Sequence, residues 1–257
     1  MKFINSIALV FTAVVVISCQ SKSENQTSTT PDDATGAGGT AQPEQAVCIW
    51  DKISLRSEPS GDAKWITQIS LGEELMFLGE TSIDSTSKSP RSYSKVRLTD
   101  GTEGWSLSDF ILPGAKAGAF ISATVVYNRP DLLTKSDKEF ASMDIVGAIG
   151  EQDDWTEVNG RISGTEYLSK GWVKTSSLTF NTIDIAVAKF AQAAMSEKDE
   201  AKKMAAIQEI LNNPDLQSSV FIEQLRALVA PEEIMDEPIE IVEEALDSAD
   251  TVESDVL

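Results

Sequence analysis

Between Ala46 and Leu112 apolar and polar residues alternate in short runs broken by turn residues. Ile53-Ser54-Leu55, Leu75-Met76-Phe77-Leu78 and Lys95-Val96-Arg97-Leu98 are such runs, and Asp100-Gly101 is a strong hairpin signal. A period near two sends alternate side chains to opposite faces, so the segment predicts several short strands in a small all-β barrel or sandwich. Weaker alternation follows at Ala123 to Arg129, Asp144 to Gly147, Asp154 to Gly160 and Gly171 to Val173. After Phe180 the period changes to about 3.6 residues.

In that last region Ile183, Ala186, Val187, Phe190, Ala191 and Ala194 share one helical face, with Asn181 or Thr182 as the cap. Ser196 with Asp199 resembles a capping box opening a second helix through Ala201, Met204, Ile207 and Leu211, which Asn213-Pro214 stops. Asp215 is placed to cap a third helix containing Val220, Phe221, Leu225 and Leu228, ended by Pro231. Three short amphipathic helices need to pack on each other or on the preceding β structure. Residues 19–45 are Ser, Thr, Gly and Gln with almost nothing to bury, which predicts a flexible tether.

The run Ile53-Ser54-Leu55-Arg56-Ser57-Glu58-Pro59-Ser60, the stretch Ile69 to Glu80, and Tyr93-Ser94-Lys95-Val96 followed by Asp100 to Trp105 and Phe110-Ile111 together resemble a bacterial SH3 (SH3b) domain. Glu58 stands where that family usually has Gly, Tyr93 where a Trp is usual, and Thr81 to Arg91 looks like an inserted polar loop. Asp154 to Gly160, then Gly171-Trp172-Val173 and Ser177-Leu178, resemble the closing hairpin again, though the opening Arg-Ser motif is missing. The resemblance implies a mainly β fold: SH3-like barrels at 46–115 and 118–180, a short α-helical segment at 181–230, and an acidic tail at 231–257. A single barrel followed by unrelated β structure is the alternative. The family resemblance further implies a non-catalytic binding role toward a cell-wall peptide or an envelope protein.

Residues 1–18 carry a basic Lys2 and an apolar run from Ile7 to Ile17, a secretory signal pattern too short to span a bilayer. Val16-Ile17-Ser18-Cys19 resembles a bacterial lipobox, which implies cleavage before Cys19, lipidation of Cys19 and a membrane anchor. An ordinary signal peptide ending near a Cys is the alternative, and either one exports the protein. Gln20-Ser21 lacks the Asp associated with inner-membrane retention, so the outer membrane is the expected site. A surface lipoprotein contacting a host or the environment is the second functional reading.

Composition narrows the chemistry. The chain of 257 residues has no His and two Cys. Ser-His-Asp, Cys-His and His-metal sites are therefore excluded, and no cofactor or metal is called for. Lys or carboxylate chemistry stays open by composition, but no sequence-distant pair of acids is singled out. The net charge of -20 is uneven: residues 181–257 hold 18 acidic and 5 basic residues. That sign disfavours nucleic acid and leaves a basic protein as the partner an acidic tail would attract.

Aromatic residues are the candidate ligand contacts: Trp65, Tyr93, Trp105, Tyr127, Trp155 and Trp172. Trp65 falls near a loop where polar residues are common in the family, so it reads as an exposed platform or as a cap over a barrel end. Trp105 and Trp172 precede the last strands and read first as core or rim packing. Cys48 reads as a buried structural thiol, and Arg56 as a brace donating to turn carbonyls.

Overall fold

The computed structural model describes residues 41–86 and 89–230. The signal segment, Cys19, the tether up to residue 40 and the acidic tail lie outside the described residues. The described residues are mainly β, with two antiparallel seven-stranded sheets and three α-helices.

The first sheet contains β1 (Glu44–Cys48), β2 (Ile53–Arg56), β3 (Trp65–Ile69), β4 (Glu74–Asp84), β5 (Arg91–Arg97), β6 (Glu103–Leu107) and β7 (Ile111–Pro113). Their spatial order is β3-β2-β6-β5-β4-β1-β7. The second contains β8 (Lys116–Phe120), β9 (Thr124–Tyr127), β10 (Lys135–Phe140), β11 (Ile145–Gln152), β12 (Trp155–Arg161), β13 (Leu168–Lys174) and β14 (Leu178–Thr179). Its order, β10-β9-β13-β12-β11-β8-β14, is the same path moved along by seven strands. Each sheet also enters its last strand through a one-turn 3-10 helix, Ser108–Phe110 and Thr175–Ser177.

Alternation places the cores. Ala46, Cys48, Leu55, Ile69, Phe77 and Val96 fill the first, and Phe120, Val126, Phe140, Val146, Val158 and Val173 the second. Burial pushes the Cys48 thiol up to about 12, and its Sγ donates to the Trp50 carbonyl at 3.1 Å. Such a thiol is a packing group that stays protonated.

Several boundaries differ from the sequence expectation. β1 begins at Glu44, inside the expected tether, because its backbone pairs with Phe77 of β4. The expected polar insertion from Thr81 to Arg91 begins as strand, since Thr81, Ser82, Ile83 and Asp84 extend β4 and pair with β5. At its end Asp84 is buried and accepts from the Thr86 hydroxyl at 2.5 Å, the Thr86 N–H at 2.9 Å and the Gly61 N–H at 3.3 Å. The Thr86 hydroxyl, then its N–H, lower this carboxyl from 3.8 to about 2. A folded value below the unfolded one means that the group's contribution is complete above about 3.9 and is lost as pH falls through the folded value. A carboxyl-carbon NMR titration is expected to find the Asp84 midpoint near 2. A midpoint at the ordinary carboxylate value would show that these hydrogen bonds do not form in solution.

The helices are α1 (Thr182–Met195), α2 (Glu200–Asn212) and α3 (Ile222–Val229). Asn181 caps α1 by accepting from the Ile183 N–H, as expected. The capping box does not form: Asp199 caps α2, while Ser196 closes α1 and donates to the Ala193 carbonyl. Asp215 lies in the 3-10 turn Pro214–Leu216 and not at the start of α3. The buried face of α1 centres on Val187, Ala188 and Ala191, which leaves Phe190 outside it. Together the helices cover Ala119 and Ile145 of the second sheet, Met143 in the turn before β11 and Leu71 in the turn before β4. No helix among the described residues is long and apolar enough to cross a membrane.

The two sheets are fused. Val47 and Ile49 point away from the first core and pack with Ala115 and Ala117. Gly147 permits this approach: a Cβ there would lie 2.6 Å from Leu112 Cδ2 and 3.1 Å from Ile49 Cγ2.

Candidate functional site

The candidate aromatics divide between the two sheets. In the first, Trp65 opposes Arg56, Arg56 opposes Trp105, and Trp105 opposes Lys95. Directly opposed residues share a face, so these four make one outward row across four strands. Trp65 is 55% exposed. Arg56 is held in place by its Nη1 donating to the Ala63 carbonyl at 2.7 Å, the brace expected from sequence. Lys95 pairs with Glu80 at 2.8 Å, and this partner raises the lysine's pKa.

Trp105 and Trp172 are half-buried and point outward, so of the two packing places expected for them, core or rim, neither occupies the core. The reason lies with their neighbours. Gly104 faces inward, where a Cβ would sit 2.7 Å from the Arg56 carbonyl oxygen, and Gly171 faces inward 2.9 Å from that of Tyr127. With glycine fixed inside, the next residue must face out.

Tyr93 is buried, at 3% exposure. It lines a cavity of about 260 Å³ with Lys52, Arg56 and Arg91 beside the Trp65 row. Neither Lys52 nor Arg91 forms an ion pair among the described residues. Three cations around a phenol make this cavity suited to a carboxylate or another small anion.

In the second sheet the structure brings Tyr127, Trp155 and Trp172 together. Trp172 opposes Tyr127, and the Tyr127 ring meets Trp155 edge-on at 4.9 Å. Lys174 lies over the Trp155 ring at 3.8 Å and pairs with Asp154 at 2.7 Å, which lowers the Asp154 pKa. Trp155 is thereby covered, at 5% exposure, so Tyr127 and Trp172 are what this face offers a ligand. Sequence reading passed over Lys52 and Arg91, which only the fold brings to Tyr93, and over Trp50 and Tyr167. Among the described residues no group of three or more Cys, Asp or Glu is gathered to hold a metal ion.

The first sheet is thus an antiparallel β unit with an outward aromatic row beside a cationic cavity. Comparison with known proteins gives its class: residues 51–111, about a quarter of the chain, match the family model described as bacterial SH3 domain. A bacterial SH3 domain is therefore present from the turn before β2 to the start of β7. No curated protein matches the chain. Among solved structures it is similar to NlpC2 from Trichomonas vaginalis, at 8% identity and a TM-score of 0.24, covering 60% of this chain and 56% of that one. NlpC1 from Trichomonas vaginalis is similar at 10% identity and a TM-score of 0.24, covering 68% and 55%. The chain thus spans little more than half the length of either structure, and likeness at this level carries nothing about activity.

Proposed function

We propose that the protein is a non-catalytic envelope binding protein, anchored by lipid on Cys19 in the outer membrane, whose SH3-type units recognise a cell-wall peptide or an envelope protein. The bacterial SH3 match at 51–111 is the observation that carries this reading, because such domains commonly bind cell-wall material. The second sheet, which follows the same strand path, is proposed as a second SH3-like barrel. In this reading the row of Trp65, Arg56 and Trp105 receives the ligand's apolar part, and the cavity at Tyr93 its carboxylate.

Sedimentation with purified peptidoglycan tests it. Detergent-solubilised full chain is expected to pellet with the polymer, and Trp65→Ala to reduce the pelleted fraction several-fold while leaving the thermal melt unchanged. A variant that pellets like wild type would remove Trp65 from the site, and a wild-type chain that stays in the supernatant would sink the cell-wall reading. For the anchor, Cys19→Ala is expected to move the protein out of the membrane fraction. Unchanged membrane association and acyl labelling would overturn the lipid assignment.

A further inference from the structure

The packing of the two sheets creates a cleft that neither contains alone. It has a volume of about 680 Å³ and is lined by Trp50, Asp109 and Phe110 from the first sheet's end and Arg161, Glu166, Tyr167 and Leu168 from the second. Trp50 and Phe110 form a tilted aromatic pair with ring centroids 5.3 Å apart. The Arg161 guanidinium lies 5.1 Å over the Trp50 ring. Tyr167, at 77% exposure, stands on the opposite lip.

Arg161 makes no ion pair among the described residues, and its side chain has no hydrogen-bond partner there. The ring attracts the guanidinium through its charge and takes up none of its N–H donors in conventional hydrogen bonds, so the Trp50 ring holds Arg161 while those donors stay available. Two parallel N–H groups held this way fit a carboxylate bidentately. Asp109 and Glu166 line the same cleft, and neither lies within ion-pair distance of Arg161 or of any other described cation. The cleft therefore offers a cation and two anions, none of them in an ion pair among the described residues, beside three aromatic rings.

We propose that this inter-sheet cleft binds a short zwitterionic peptide. Its free carboxylate sits on Arg161, its ammonium group faces Asp109 and Glu166, and its small side chains lie against Trp50, Phe110 and Tyr167. A neutral chain would leave all three charges unanswered, and a simple anion would be repelled by the two carboxylates. The site is separate from the cationic cavity at Tyr93 and does not depend on what that cavity binds.

Calorimetric titration of the full chain with trialanine, its C-terminal amide and its N-acetyl derivative tests the proposal. Trialanine is expected to bind saturably, with the amide and the acetylated form each at least tenfold weaker. Arg161→Gln should weaken trialanine at least tenfold and abolish the preference for acid over amide. Tyr167→Ala removes an exposed ring, so it should weaken binding at least threefold with an unchanged melt. No saturable binding by the wild type, or an Arg161→Gln chain that still prefers the acid, would overturn the proposal. If trialanine fails to bind while the chain still pellets with peptidoglycan, the cleft is refuted and the cell-wall reading stands. If Trp65→Ala stops pelleting and leaves trialanine affinity intact, the cleft is established as a separate site.

Discussion

Phe120→Ala is expected to lower the free energy of unfolding by about 3–5 kcal/mol, because it removes a fully buried ring and leaves a cavity. Phe120 stacks on Phe140 with centroids 4.7 Å apart, and both rings are fully buried at the centre of the second core. Its backbone is committed as well, donating to the Asp144 carbonyl at 3.0 Å and accepting from the Met143 N–H at 2.8 Å, so the strand cannot slide to fill the space. For a body of this size the loss corresponds to a fall in melting temperature of about 6–20 °C. Leu133→Ala is the control: that side chain is 92% exposed, and its removal should change stability by less than about 0.5 kcal/mol. A Phe120→Ala melt within a degree or two of wild type would mean that the second core is not packed around this pair.

The second large effect is expected at Asp144. This carboxylate is 1% exposed and accepts from the Ala141 N–H at 2.9 Å, the Ser163 N–H at 3.2 Å and, in a short contact, the Ser163 hydroxyl. It ties the turn before β11 to the turn after β12. Asp144→Ala leaves three donors without their acceptor and should cost about 2–4 kcal/mol. Asp144→Asn keeps one carbonyl oxygen in place and should recover part of that loss. Denaturant titration that shows equal midpoints for Asp144→Ala and wild type would assign these turns to backbone pairing alone. Asp144 touches the Phe120 backbone, so the two losses are not expected to add.

The second core was only partly legible in the sequence. β12 and β13 were visible because Val158 and Val173 alternate with polar residues beside a Trp. β8 was not, because Lys116-Ala117-Gly118-Ala119-Phe120 has no β-branched residue and is chosen for close approach. β10 is nearly all polar and is held by pairing with β9, which no local pattern announces. The helices were legible from their period, but their rotation was not: Phe190 fits the stripe, yet α1 turns its alanines inward to reach Met143 and Ile145. Trp65 could be read as exposed from its place near a loop. The cavity at Tyr93 could not be read at all, since Lys52 and Arg56, at the two ends of β2, meet Arg91 and Tyr93 of β5 only through the fold.

The strand that opens the first sheet is buried on both faces, by Ala46 and Cys48 on one side and Val47 and Ile49 on the other. The junction between the sheets is correspondingly short, only Gly114 and Ala115 between Pro113 and Lys116. A cut there would not yield two transferable parts. Residues 44–113 grafted onto another carrier would bring Val47, Ile49, Leu71 and Leu112 into water together, an apolar patch of the kind that drives aggregation. The portable piece, for recombination between genes or for an engineer borrowing a binding module, is the pair of sheets with its helices.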